Sequence, residues 1–249
     1  MYLDNHQKMS PIMKKISTML LITALLTPPL AIAASNDDDL AEKQAESITI
    51  GSGWTLIRND TLRNIKTYAK QEDNKKFRSF KIDMVVDAPL ETVAKVHFDV
   101  ENIKKWYWST SESKLLKKVS DTEYYYYQVY RTPIVPDRDV IIHAKIEPYT
   151  AEKGFMVLNL EAVPDYMPIQ GSYVRMSAHN MAIKMTPVEG GSKTHLEVEG
   201  YIDPSGVSPA WAINFYQRKS PYITMVGLSR MVQQPQYSAE APSPFRYKR

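Results

Sequence analysis

Histidine is the residue type in this chain best suited to proton transfer or metal binding at neutral pH. The sequence has five histidines, and no two are spaced as a His-x-x-x-His metal pair. It also lacks a Gly-x-Ser-x-Gly nucleophile motif and a phosphate-binding glycine loop. The acids Glu161 and Asp165 are isolated and do not form a glycosidase pair. We therefore expect no catalytic residues, no metal and no cofactor. The histidines are His6, His97, His143, His179 and His195.

A run of four tyrosines, followed by Tyr130, is the most unusual local feature of the chain. Because side chains alternate along a β-strand, Tyr125 and Tyr127 share one face while Tyr124 and Tyr126 share the other. Tyrosine rings can line an apolar cavity while their hydroxyls orient the polar end of a ligand. The alternative is that these are ordinary β-favouring aromatics on both faces. We expect one of the two pairs to line a cavity.

Residues 1–33 have the pattern of an export signal. Two lysines at 14–15 precede a nearly continuous apolar run at 16–26, and the small-x-small sequence at 31–33 suits signal peptidase. The apolar run is shorter than the roughly 20 residues that a membrane-spanning helix needs, and a Pro-Pro pair follows it. We predict cleavage near Ala33 rather than a membrane anchor.

The predicted signal implies a periplasmic location, with secretion from the cell as the alternative. Residues 1–12 lack the signal character, and the pattern leaves open whether they are translated. No later apolar run is long enough to span a membrane.

The bulk composition is that of a globular protein of 249 residues, with 43% hydrophobic and 24% charged side chains. The formal net charge is +3, and removal of residues 1–33 would delete three lysines and one aspartate and leave +1. This near-neutral balance argues against nucleic acid as a partner, because phosphate binding needs a concentrated basic surface. Cysteine is absent, which excludes disulfides, thiolate metal sites and a lipidated cysteine.

The rest of the chain is mostly β-structure between helices. Polar helix formers at 36–47 predict a first helix, Pro89 opens a second, and an apolar stripe at 209–233 predicts a long last helix with a kink at Pro221. Alternation and turn residues predict nine strands. These strands span residues 54–58, 65–70, 78–87, 114–119, 123–131, 140–148, 155–163, 172–187 and 193–203.

This element order predicts an α+β fold in which a curved antiparallel sheet of about nine strands wraps around the C-terminal helix. A sheet of that size curls, and the side chains of one helix cannot fill its concave face, so a cavity is expected. We assign residues 34–234 to one domain. Residues 235–249 contain three prolines and no periodicity, which predicts a flexible tail.

Several segments match, in order along the chain, the pattern of one known family. They are residues 136–140, 165–171 with 174–175, 194–200, 203–209, 211–214, Pro221 and 228–230. Over about residues 36–233 the chain thereby resembles the START (StAR-related lipid-transfer) domain family, which has a helix-grip fold. The order of the segments makes this resemblance fairly specific.

The resemblance implies an internal tunnel for one lipid, with the last helix and the loop before Asp137 as its lid. Counting back from Arg138 and Asp139 in the family pattern places Tyr125 and Tyr127 inward. Members that bind cholesterol carry a buried acid and a buried arginine, and the matching positions here are Tyr125 and Ala144, so the charged pair is missing. The family pattern also implies that Arg138 and Asp139 mainly organise a loop.

We therefore expect non-catalytic binding, and transfer, of a single hydrophobic lipid by a monomer that makes only transient membrane contact. The alternatives are a cyclase- or aromatase-like enzyme on the same helix-grip fold, with His143 and carboxylates in its pocket, and a periplasmic adaptor with no tunnel. Polar contacts in the tunnel would come from tyrosine hydroxyls. The residues expected to bind the ligand are Trp106, Tyr125, Tyr127, Val129, Ile142, Ala144, Met167, Phe215, Tyr222 and Val226.

Overall fold

The computed structural model describes residues 49–50, 53–132, 135–208 and 210–238. Side chains are not described at 49–50, 210–212 and 214–215. The expected signal peptide, the expected helix at 36–47 and the side chain of Phe215 therefore lie outside the described part of the chain.

One sheet of eleven strands dominates the described residues, which confirms the predicted α+β fold. The strands are β1 (Thr49–Ile50), β2 (Trp54–Asp60), β3 (Ile65–Lys70), β4 (Ser79–Val86), β5 (Thr110–Ser120), β6 (Glu123–Tyr130), β7 (Arg138–Glu147), β8 (Met156–Ala162), β9 (Val174–Arg175), β10 (Ala178–Val188) and β11 (Lys193–Asp203). Their order in the sheet is β1-β2-β3-β4-β11-β10-β8-β7-β6-β5 with antiparallel neighbours, and β9 pairs in parallel with β7.

Alternating hydrophobicity decides which face of each strand is covered. In β10 every second side chain is buried from His179 through Met181 and Ile183 to Met185, while Asn180 is exposed. We call the face that carries these buried residues the inner face of the sheet. The opposite, outer face is mostly polar, as expected for an antiparallel sheet with one face against the core.

The predicted strand at 172–187 is divided into two pieces. β9 leaves the direction of β10 and adds beside β7, where Arg138 pairs with Val174 and Asp139 with Arg175. The backbone NH of Met176 then donates to the carbonyl of Asp139 over 2.9 Å. This crossing brings Arg175 against the start of β7, which a single straight strand would not do.

Two helices pack on the inner face: α1 (Leu90–Phe98) and α2 (Ala210–Met231). A 3-10 helix, Val100–Lys105, follows α1. Apolar residues of both helices, including Val96 and Leu228, belong to the same core cluster as the inner face. Pro221 lies inside α2, which continues past it. Among the described residues, no helix is long and apolar enough to span a membrane.

Residues 235–238 do not belong to a loose tail, in contrast to the sequence-based prediction. Pro235–Tyr237 forms a 3-10 turn in which Tyr237 is buried. The Tyr237 hydroxyl donates to Asp99 Oδ2 over 2.6 Å, and Lys95 Nζ donates to the carbonyl of Ser238 over 2.8 Å. These contacts join the turn to α1, a long-range effect with no signal in local periodicity. Residues 239–249 lie outside the described part.

Candidate ligand cavity

A cavity of about 150 Å³ lies between the inner face of the sheet and α2. Most of its wall is apolar or aromatic, which suits a hydrophobic occupant. Three methionines, whose flexible side chains adapt readily to an occupant's shape, contribute to the wall. These methionines are Met176, Met181 and Met225.

A neutral polar cluster of His179, Tyr130 and Tyr107 lies on this wall. The Tyr130 hydroxyl lies 2.9 Å from His179 Nε2, and the Tyr107 hydroxyl lies 3.4 Å from the same nitrogen. Burial lowers the pKa of His179 to about 4, so the imidazole is neutral at pH 7. Burial also raises the pKa of Tyr107 to about 12. The cluster therefore offers uncharged hydrogen-bonding groups in an apolar wall.

Asp139 and Arg175 form a buried ion pair beyond the cavity, on the outer side of β7. Arg175 Nε donates to Asp139 Oδ1 and Arg175 Nη2 donates to Asp139 Oδ2, both over 2.9 Å. Arg175 Nη1 also donates to the carbonyl of Met167 over 2.9 Å. The pair joins β7, β9 and the loop after β8, which agrees with the loop-organising role expected for Asp139. Arg138 faces the opposite way and lines the cavity.

The prediction that Tyr125 and Tyr127 face inward is wrong. Tyr124 and Tyr126 line the cavity, whereas Tyr125 stacks on His143 at 4.3 Å between ring centroids on the outer face. The error is one residue: in the register of β6 with β7, Ala144 is opposite Tyr124 rather than Tyr125. A shift of one residue moves every side chain of a strand to the other face.

Comparison with known proteins supports the same architecture. The family model for the START domain matches residues 36–240. This chain belongs to the START domain family. The resemblance inferred from the ordered motifs is thereby confirmed.

Three similar proteins place this START domain among relatives. An uncharacterized protein of Pseudomonas aeruginosa is 26% identical over 179 residues, which is 72% of this chain and 86% of that protein. The crystal structure of a STAR-related lipid transfer protein fragment from Xanthomonas axonopodis has a TM-score of 0.66 and 27% identity, and the match covers 73% of this chain and 99% of that one. Human StAR-related lipid transfer protein 5 shares the fold at a TM-score of 0.63 and 17% identity, covering 80% of this chain and 95% of that one.

The other predicted ligand residues of this START domain lie in three places. Trp106 lines the cavity. Ile142 and Ala144 are buried in the inner core cluster, beside the cavity but not in its wall. Val129 and Tyr127 are buried in an outer cluster with Ile141, and Met167 packs against it. The outer cluster is separated from the cavity by the sheet.

The face that α2 presents to the cavity also differs from the predicted apolar stripe. Tyr222 and Val226 pack against the inner core cluster outside the cavity wall, and the Tyr222 hydroxyl donates to Asp60 Oδ2 over 2.6 Å. From α2 the wall receives the apolar or aromatic residues Ile213, Tyr216, Pro221 and Met225 together with several polar side chains. These polar side chains are Gln217, Ser220 and Thr224. A helix face predicted from hydrophobicity alone does not include polar side chains that line a cavity.

Sequence reasoning missed His97, His179 and Arg138 as cavity residues. One usable signal was present for His179, because it stands in phase with Met181, Ile183 and Met185 along β10. A histidine in the apolar phase of a half-buried strand is expected to point into the core. Among the described residues, no group of three or more His, Asp or Glu side chains could hold a metal ion.

The two buried histidines make stability depend on pH. Burial lowers the pKa of His97, as of His179, to about 4 from the ordinary 6.5. The unfolded chain therefore binds protons below pH 6.5 that the folded chain refuses until about pH 4. The contribution of these two neutral histidines to the free energy of unfolding is fully present above pH 6.5 and is lost as the pH falls towards 4. We expect the free energy of unfolding to fall by about 2 kcal/mol per histidine between pH 7 and pH 5.

Urea denaturation at the two pH values measures this loss. In His97→Met the decrease attributable to that residue should disappear, leaving a shallower pH dependence than in the wild type. An unchanged pH dependence in this variant would contradict the assignment of His97 as a buried neutral group.

Proposed function

We propose that this START domain binds one hydrophobic lipid in its internal cavity and transfers it through an aqueous compartment without catalysing a reaction. The observation that carries the proposal is the apolar and aromatic cavity enclosed between the curved sheet and α2. Burial of a lipid chain contributes about 0.8 kcal/mol per methylene, so a single alkyl chain provides ample binding energy. The lipid-transfer designation of the Xanthomonas axonopodis relative, at 27% identity, supports the same role.

At about 150 Å³ the cavity is smaller than the roughly 300–1,000 Å³ of typical small-molecule pockets. We therefore expect the wall to move when a lipid enters. The methionine side chains of the wall are the parts best placed to do so, because they are unbranched and flexible.

The cyclase-like alternative is less well supported. It required His143 and carboxylates in the ligand cavity, but His143 lies on the outer face, where Nε2 is 2.7 Å from Glu123 Oε1. There it lines a second, more open pocket with Glu161 and Glu199. Among the described residues the cavity wall contains no Asp or Glu side chain. An adaptor without an interior site is equally disfavoured by the presence of the cavity.

Native mass spectrometry of the purified protein, followed by lipid extraction, tests the proposal. We expect a bound lipid on the wild type and its loss by at least about tenfold in Val198→Phe, which fills the cavity from β11. The matched control is Val157→Phe on the outer side of β8, which should retain the lipid. A wild-type protein that emerges empty, and stays empty when offered sterols, fatty acids and phospholipids, would overturn the proposal.

We further propose that residues 1–33 export the domain to the periplasm. The lysine pair, the apolar run and the Ala-x-Ala sequence support this proposal. The mass spectrum of the full chain recovered from a periplasmic extract reports whether cleavage near Ala33 has occurred; an uncleaved chain retained in the cytoplasm would contradict export.

A further inference from the structure

The charges on the cavity wall have a single sign. Among the described residues that line it, the charged side chains are Arg78 and Arg138, and no Asp, Glu or Lys is present. Arg78 is exposed, whereas Arg138 is 2% exposed. The imidazoles of His97 and His179 are neutral at pH 7, as described above. The interior therefore carries a positive charge with no acidic side chain on the same wall to balance it.

Arg138 bonds only to uncharged oxygen atoms. Its Nη2 donates to Ser208 Oγ over 2.8 Å, and its Nη1 donates to the carbonyl of Pro136 and to Thr132 Oγ1. No carboxylate of a described residue lies within 4.0 Å of the guanidinium. Of the two adjacent carboxylates, Asp139 points to the other side of β7 and is engaged by Arg175, and Asp137 Oδ1 accepts a hydrogen bond from the backbone NH of Thr132.

The bonds of Arg138 explain how two loops are joined, but they leave its charge without a direct ion pair. Burial lowers the pKa of Arg138 by more than the charge of Asp137, which is not in contact with it, raises that pKa. Thr132 and Pro136 belong to the loop before β7, and Ser208 precedes α2, so the guanidinium connects the two segments at one end of the cavity. Buried charges in proteins are normally paired with an opposite charge, because removing an ion from water is costly. An arginine keeps its charge under all ordinary conditions.

Buried polar atoms without hydrogen-bond partners also lie on residues of the cavity wall. Four buried side-chain polar atoms of the described residues have no hydrogen-bond partner, and three belong to cavity residues: Trp106 Nε1, Arg138 Nε and His179 Nδ1. The indole and guanidinium nitrogens can only donate. A ligand that satisfies them must present hydrogen-bond acceptors.

We propose that the lipid is an anionic amphiphile whose carboxylate or phosphate group pairs with Arg138 while its hydrocarbon chain lies along the apolar wall. This inference rests on the proposed function, since it assigns the chemical class of the ligand in that cavity. The acid group supplies both the missing negative charge and an acceptor for Arg138 Nε, and the unpartnered indole NH of Trp106 is a further donor on the same wall.

A series of ligands with the same alkyl chain tests the charge requirement on the unmodified protein. Binding of palmitate, hexadecyl phosphate, hexadecanol and hexadecyltrimethylammonium is measured by displacement of a fluorescent fatty-chain probe. We expect one or both anions to bind at least about tenfold more tightly than the alcohol and the cation. The ratio between the two anions distinguishes a carboxylate from a phosphate ligand. Equal binding of the alcohol and the anions would overturn this inference while leaving lipid binding intact. Failure of all four ligands, and of lipid extraction, would overturn the proposed function and this inference with it.

Substitution of Arg138 assigns the discrimination to this residue. Arg138→Gln should weaken binding of the preferred anion by at least about tenfold and leave hexadecanol binding unchanged, whereas Arg138→Lys should retain most of the preference. Arg58→Gln is the matched control, because Arg58 is an exposed arginine outside the cavity, over the ring of Tyr222. An Arg138→Gln protein that folds and keeps the full preference would overturn the proposal, and the ligand series on the wild type decides it if the variant does not fold.

Discussion

Asp139→Ala is expected to lower the free energy of unfolding by about 3–5 kcal/mol, because it leaves Arg175 as an uncompensated charge in a nearly closed site. Asp139 is fully buried, and the Arg175 side chain is 7% exposed. The carboxylate also accepts a hydrogen bond from the Tyr127 hydroxyl over 3.2 Å, which the alanine variant loses. Denaturant unfolding followed by tryptophan fluorescence measures the change.

Two comparisons separate this effect from an ordinary loss of charge. Glu199→Ala removes the exposed ion pair with Lys81 on β4 and should cost no more than about 1 kcal/mol. The double variant Asp139→Leu with Arg175→Met removes both buried charges and should be markedly more stable than Asp139→Ala alone. A cost for Asp139→Ala similar to that of Glu199→Ala would show that the pair does not organise β7, β9 and their connecting loop.

Gly227→Ala is expected to destabilise the fold by about 2–4 kcal/mol, although alanine is the better helix former by about 1 kcal/mol. A Cβ at position 227 would lie 2.2 Å from the carbonyl oxygen of Trp106 and 3.0 Å from its carbonyl carbon. Both atoms belong to the backbone, so α2 itself would have to move away from the segment that carries Trp106. Since Trp106 and α2 both contribute to the cavity wall, lipid binding should weaken as well.

Thermal and urea unfolding of Gly227→Ala, beside Arg230→Ala, test this contact. Arg230 is exposed on the same helix, and its replacement should change stability by less than about 0.5 kcal/mol. A Gly227→Ala protein as stable as the wild type would mean that α2 is not seated directly on the Trp106 backbone.

Much of the fold could be predicted from the sequence, because it depends on local patterns of side chains. Alternating side chains and turn residues predicted eight of the strands within a few residues of their observed bounds, and the ninth predicted strand, 172–187, covers both β9 and β10. The apolar stripe predicted α2. The ordered motifs pointed to the family, which the match over residues 36–240 confirms. These features follow from periodicity and turn chemistry, which act over a few residues.

The candidate site was less predictable, because it depends on register and long-range pairing. The tyrosine run predicted that two alternate rings face inward, but the pairing of Tyr124 with Ala144 decided which two. Whether Trp106 contacts a ligand stays a prediction, whereas Tyr125 and Tyr127 lie on the outer side of the sheet.

The sequence by itself determined that this chain builds a large antiparallel sheet against a long C-terminal helix, since the spacing of apolar residues specifies the type and extent of most elements. Only the tertiary structure decided which polar groups enter the interior. Arg138 and Asp139 are neighbours in sequence, yet β7 directs one into the cavity and gives the other to Arg175, 36 residues away. Alternation separates adjacent charges by a full sheet thickness, and the partner that each one meets is supplied by strands that no local pattern brings together.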